Sequence, residues 1–410
     1  MASAEEQTPP PWPAVAKLAI SETVAWGALY YSFGVLLRPF ASFLAVSEAV
    51  VAGAFSVALL SSAGAAWIAG RSIDHWGPRP VMTFGALLGV ATLASLATVD
   101  TIAGFYVAWA AIGISHAFVL YEPAFAAITK WFPSPAARAR ALLAVTMVAG
   151  FASTVFVPLT AAVYAHVGRQ GAVIVLAGLV AVTVLPVNAL LPRQPASTIR
   201  PRTSAEDGSV LVSSRLAPLT VVFALQAFAS AGVTVHLVSL LRDRGLSLGS
   251  AAVVAGLMGA AQVPARLAFQ TFQRFIGARA RLPLLLGIQA AALLAVLVRA
   301  PSVVTVAVLL VGAANGLITL ERAVVIAESF GVERYGDVSG RIATFTQVAR
   351  AAAPILVGLV AVVSSYGVAL LGLAGVTATS AVIVWAALRA PDSLMTRQQP
   401  MKQPRSPHEA

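Results

Sequence analysis

Six ionisable side chains stand in the apolar middles of long hydrophobic stretches of this 410-residue chain. A charge at such a position costs about 2.5–3.5 kcal/mol to insert into a membrane, so each one calls for a role. They are Glu22, Glu122, Arg266, Glu321, Arg322 and Arg350, accompanied by the neutral polar groups His116, Gln226, His236, Gln262, Asn315 and Gln347. Gln262 and Arg266 are four residues apart and Gln347 and Arg350 three, so each pair shares one helix face. A guanidinium presents a planar fork of donors and stays charged when partly desolvated, which suits a carboxylate or phosphate. Arg266, Arg350, Gln262, Gln347, His236 and Asn315 are therefore the candidate substrate contacts. A carboxyl among apolar neighbours can take up and release a proton, which makes Glu22 and Glu122 candidates for proton coupling. The alternative is that Glu22, Glu122, Glu321 and Arg322 form fixed ion pairs, with one another or with Arg266 and Arg350, that only join helices. His116 and His236 suit hydrogen-bonded packing as well as relay, and Tyr30, Tyr31 and Tyr121 suit packing as well as contact.

The elements that must hold these groups are twelve apolar stretches of membrane-spanning length, at 14–37, 49–69, 79–99, 102–128, 140–163, 172–192, 217–241, 250–272, 282–299, 302–328, 341–363 and 366–388. A nearly charge-free apolar run of about 18 residues reads as a transmembrane helix. Composition agrees, with 59% hydrophobic and 10% charged residues, against about 25% charged in a soluble domain. The expected fold is an all-α polytopic membrane protein of two six-helix bundles, 14–192 and 217–388. A Pro-, Ser- and Arg-rich linker, 193–216, joins them, and polar tails occupy 1–13 and 389–410. Residues 1–13 lack the basic start and cleavage site of a secretory signal, so the first stretch is expected to persist as helix 1. The chain has no cysteine, which excludes disulfides, thiol nucleophiles and cysteine-ligated metals. No Gly-x-x-x-x-Gly-Lys-Ser/Thr loop occurs, which argues against ATP-driven work, and no cofactor or metal is expected. No nucleophile–base pair suggests an enzyme.

A net charge of +11 could signal nucleic acid, but its placement assigns it to topology. With both termini cytoplasmic, 19 Lys and Arg fall on that side and five outside, at Arg38, Arg169, Arg242, Arg244 and Arg299. That asymmetry is the positive-inside rule and orients the chain in a cell (inner) membrane with both ends inside.

The halves also resemble each other at an offset of 200 residues. Gly77 falls opposite Gly277, Arg79 opposite Arg279, and Glu122 opposite Arg322. Parallel repeats of this kind build transporters whose site lies near the midplane between the halves. Between helices 2 and 3, Gly70-Arg71-Ser72-Ile73-Asp74-His75-Trp76-Gly77-Pro78-Arg79 resembles the loop signature of the major facilitator superfamily, with His75 in place of the usual Arg. The resemblance implies a conformational latch at Gly70, Asp74, Gly77 and Arg79. It also implies a cavity lined by helices 1, 4, 7 and 10, with 3, 6, 9 and 12 toward lipid. Glu22-Thr23-Val24-Ala25-Trp26-Gly27, together with Lys130-Trp131-Phe132 and Arg138-Ala139-Arg140, is similar to patterns of the monocarboxylate and oxalate/formate porters. Those relatives imply a secondary transporter of a small organic anion by alternating access, coupled to protons or exchange and working as a monomer in the bilayer. Two rivals share the fold: efflux of a hydrophobic or cationic compound, and a membrane sensor that transports nothing. The arginine on helix 4 and the joined Gly-Pro on helix 5 of proton-driven drug exporters are both missing, and the short termini offer no signalling domain.

Overall fold

Residues buried in a bilayer must satisfy their backbone groups internally, and runs of this composition do so as helices. A computed structural model describes residues 12–132, 134–192, 216–298, 300–330 and 335–389. The expected linker and both tails lie outside the described residues apart from Trp12, Pro13, Leu216 and Arg389, as do the side chains of Asp74 and Lys130. In the first half the elements are α1 (Trp12–Ala25), a π-helical turn (Trp26–Tyr31), α2 (Ser32–Phe43), α3 (Glu48–Trp76), α4 (Pro78–Ser95), α5 (Ile102–Val119), α6 (Tyr121–Trp131), α7 (Pro135–Ala149), α8 (Ala152–Leu179), a second π turn (Val180–Val184) and α9 (Leu185–Ala189). The second half contains α10 (Leu216–Asp243), α11 (Leu248–Leu267), α12 (Phe269–Phe275), α13 (Ala278–Ala295), α14 (Pro301–Phe330), α15 (Tyr335–Val363) and α16 (Tyr366–Arg389). All of the regular structure described is helical.

Joined across their breaks, these elements form rods consistent with the twelve expected spans. Nine described segments are long and apolar enough to cross a membrane, and one of them, Arg140–Ala189, covers two passes. It reverses at Gly168, whose φ of 68° is the left-handed geometry that glycine adopts freely. Many large apolar side chains, among them Val107, Val182 and Val306, point outward, as a lipid-facing surface requires.

The 200-residue repeat is physical. Ser47 caps α3 by accepting from the Val50 amide, and Ser247 caps α11 by accepting from the Ser250 amide. Two residues before each cap the chain turns through positive φ, at Ala45 (53°) and Gly245 (91°). Glycine at one site of each half also lets backbones touch: a Cβ on Gly113 would overlap the Ala58 carbonyl, and one on Gly312 the Met258 carbonyl. Small residues commonly permit such crossings in membranes. Gly312→Ala should therefore force α11 and α14 apart and destabilise the protein by about 1–3 kcal/mol, as overpacking does. Gly372→Ala, where nothing lies within 4 Å, should not. Thermal unfolding of the two variants in detergent checks the contrast, and equal melting temperatures would contradict it.

The halves meet through α2 with α10, α3 with α15, and α8 with α11. Val35 of α2 lies in the second half's core and Val235 of α10 in the first's. A Cβ on Gly53 of α3 would meet Ile355 and one on Gly358 of α15 would meet Ala49, so these helices touch near Glu48. Farther along α3, from Leu59 to Ile73, and at Gln347 and Arg350 of α15 they border open space.

Candidate functional site

Two interruptions shape the site. Pro123 has no amide to offer the Val119 carbonyl, and Leu120 leaves the helix at φ −84°, ψ −161°. Helix 4 is thus split into α5 and α6, and the second piece opens with Tyr121 and Glu122. In helix 1, the π turn widens the spacing, so Trp26, Tyr30 and Tyr31 share one face. π turns of this kind recur at functional sites. Ring centroids lie 5.0 Å apart for Trp26–Tyr30, 5.3 Å for Tyr30–Tyr31 and 4.9 Å for Trp26–Tyr121.

Beside this cluster lies a cavity of about 470 Å³. Trp26 and Tyr30 of the π turn, small residues of α3 from Ser62 to Gly70, His116, Tyr121 and Glu122 of helix 4, and Gln347 and Arg350 of α15 line it. Helices 1 and 4 contribute as expected. Helices 7 and 10 give none of its lining, and helices 2 and 11 take their place, because the halves part along α3 and α15.

Arg350 is half-buried in this wall with neither a hydrogen bond nor an ion pair to a described residue. It lines the same cavity as Trp26, Tyr30 and Tyr121. Arg266 donates to Gln262 Oε1 at 3.1 Å and, at 3.5 Å, to the Thr146 carbonyl, which leaves its Nε without a partner. Arg350 thus shares a wall with the phenols of Tyr30 and Tyr121, and neither arginine pairs with Glu22, Glu122 or Glu321 among the described residues. All of these groups can donate, and an anion is what such a set can hold.

Glu22 is fully buried one turn below Trp26, and neither carboxyl oxygen has a hydrogen-bond partner. The Trp26 indole N–H is also unsatisfied, although it faces Glu22 closely enough to act on it. Beside it, Ser21 donates to Asn188 Oδ1 at 3.1 Å. Glu122, by contrast, is exposed on the cavity wall. The two carboxyls, expected as equivalents, sit in different environments because the break at Leu120 turns Glu122 into the open space. His116 is buried with Nε2 3.1 Å from the Leu29 carbonyl oxygen.

Other expected contacts lie elsewhere. Asn315 is locked into a polar knot, accepting from Gln226 (2.9 Å) and Gln289 (2.8 Å) and donating to Ser230 (3.3 Å). His236 is buried against the Tyr366 hydroxyl (3.1 Å) and the Pro354 carbonyl (2.8 Å). Glu321 pairs with Arg281 at 3.0 Å, a residue 40 positions away, and Arg322 lies over the Phe223 ring at 5.4 Å. At the expected latch, Gly77 has φ 79° and ψ 168° between α3 and α4. Arg79 is half-buried in the first turn of α4, and Gly70 reaches the cavity.

Sequence reasoning missed the network at the opposite end. Arg38 of α2 binds Glu48 of α3 at 2.8 Å and Asp243 of α10, while the Tyr366 hydroxyl of α16 donates to Glu48. These residues read as loop charges, and the one available signal was opposite signs gathered at the ends of four spans.

The sequence profile described as Major Facilitator Superfamily matches residues 18–354. No curated protein sequence matches the chain. Among solved structures, the nucleoside transporter NupG aligns with a TM-score of 0.71 at 14% identity, covering 92% of this chain and 100% of that one. A bacterial homologue of the human lysosomal transporter Spinster, inward-facing and unoccupied, aligns at 0.72 and 12% identity, covering 95% and 98%. The human organic anion transporter MFSD10 (TETRAN) aligns at 0.62 and 19% identity, covering 92% and 100%.

Proposed function

The chain belongs to the major facilitator superfamily, and from that premise we propose that it is a secondary transporter whose cargo is a small organic anion, most simply a carboxylate. The observation that carries this reading is Arg350, a cation with no hydrogen bond or ion pair among the described residues, on the wall of a cavity that Tyr30 and Tyr121 also line. An unpaired charge in such a place is costly, and a bound carboxylate would offset the cost. Alternating access between the bundles 14–192 and 217–388, joined by 193–216, would carry the cargo across. The excess of Lys and Arg on one side supports cytoplasmic termini in a cell membrane, which makes the Gly77 end the inner one. Glu22 is the proposed proton carrier, and the turn at Gly77, with Gly70, Asp74 and Arg79, the proposed latch. The Glu22-Thr23-Val24-Ala25-Trp26-Gly27 and Lys130-Trp131-Phe132 stretches support a kinship with monocarboxylate porters within the superfamily.

Glu122 favours a second reading. Its exposed carboxylate gives the cavity an acidic spot suited to an organic cation, as an exporter would need. Counterflow into proteoliposomes separates the two. Labelled monocarboxylates should exchange with the same acid trapped inside, while tetraphenylphosphonium should not. Counterflow of the cation without that of any acid would reject the anion reading.

A further inference from the structure

A carboxylate alone needs donors, yet this cavity also offers aromatic surface. Trp26, Tyr30 and Tyr121 line it together, and its volume exceeds what a two-carbon acid fills while lying in the range of organic ligands. The rings are set and not merely packed. Tyr121 is held flat on Phe125 at 5.1 Å with 12° between planes, and Trp26 is tilted by 45° to Tyr121 and 59° to Tyr30. Phe125 covers one face of Tyr121, and all three rings still border the cavity. Along the same cavity α3 presents only Ser62, Ala63, Ala66, Ala69 and Gly70 between Leu59 and Ile73, leaving space for a flat body. Arg350 supplies a charge on the same wall as those rings.

Resting on the anion reading above, we propose that the cargo is an aromatic carboxylate. Its carboxylate is held at Arg350 and its ring lies against the Trp26–Tyr121 wall. Any apolar body gains from leaving water. A planar ring gains further from offset or edge-to-face contact with the tryptophan and tyrosine quadrupoles. Specificity then resides in Trp26 and Tyr121, and charge selection in Arg350.

The test compares benzoate, cyclohexanecarboxylate and benzyl alcohol by calorimetry on the purified full-length protein in nanodiscs. Benzoate should bind about tenfold more tightly than cyclohexanecarboxylate, the upper end of what one aromatic contact supplies, and benzyl alcohol should not bind measurably. Tyr121→Leu should bring the two acids to within about twofold by weakening benzoate only. Tyr121→Phe keeps the ring and should preserve the preference, so it covers the case in which the leucine variant fails to fold. Equal binding of the two acids by the native protein overturns the aromatic assignment and leaves the anion reading standing. Binding of benzyl alcohol without either acid, or of no probe at all, overturns both.

Discussion

Arg350→Gln is expected to weaken carboxylate binding by roughly 30-fold or more, the low end of the 2–5 kcal/mol lost when a desolvated charge contact is truncated. The low end applies because Arg350 is half-buried and water in the cavity replaces part of the interaction. Arg350→Lys keeps the charge and loses the fork, so it should fall between native and Gln. Arg266→Gln should cost less, since Arg266 already spends donors on Gln262 and on the Thr146 carbonyl. Neutralising a carboxylate at the same time should not rescue Arg350→Gln, because no described acid pairs with it. Calorimetric titration of the three variants with one acid gives the order directly. An Arg350→Gln affinity within threefold of native would remove Arg350 from the site.

Glu22→Gln is expected to abolish accumulation driven by a pH gradient while sparing exchange of cargo for cargo. With one proton carried per anion, each pH unit sustains about a tenfold gradient, and the variant should fall to no gradient. The reason is burial without a partner. A carboxylate ion at Glu22 has no hydrogen bond and no cation among the described residues, and an uncompensated ion in an apolar interior is among the costliest states a protein can hold. Protonation would relieve it, and on the proposed mechanism this ties the charge on Glu22 to movement of the surrounding helices. Glutamine keeps the shape and cannot release a proton, so exchange, which requires no net proton movement, continues. Uphill accumulation by Glu22→Gln proteoliposomes under a pH gradient would assign Glu22 a purely structural role.

The all-helical, membrane-type fold was readable from sequence, and the direction each polar group takes around its helix was not. Apolar runs marked the helical stretches, and the 200-residue offset has a structural counterpart in the Ser47 and Ser247 caps. The break in helix 4 has a local cause, the missing amide of Pro123. Partners are not local. Glu321 meets Arg281 across 40 residues, Tyr366 meets Glu48 across 318, and no periodicity encodes those distances. The expectation that helices 7 and 10 line the cavity failed for the same reason: the polar groups of Gln226 and Asn315 are turned into a shared knot. The π turn was equally hidden, since the spacing that brings Trp26, Tyr30 and Tyr31 onto one face does not follow the 3.6-residue period.

Arg38 makes the joint between the halves ionic at one end. Its guanidinium reaches Glu48 and Asp243, with side chains 23% and 43% exposed, so dissolved ions have access to the pairs. The screening length shrinks from about 8 Å at physiological ionic strength to about 3 Å at 1 M, whereas the apolar contacts of Val35 and Val235 gain nothing from such screening. If the halves part and rejoin at the Arg38 end, as the proposed alternating access requires, salt concentration acts on that balance, and transport is expected to depend on ionic strength through a contact outside the cavity.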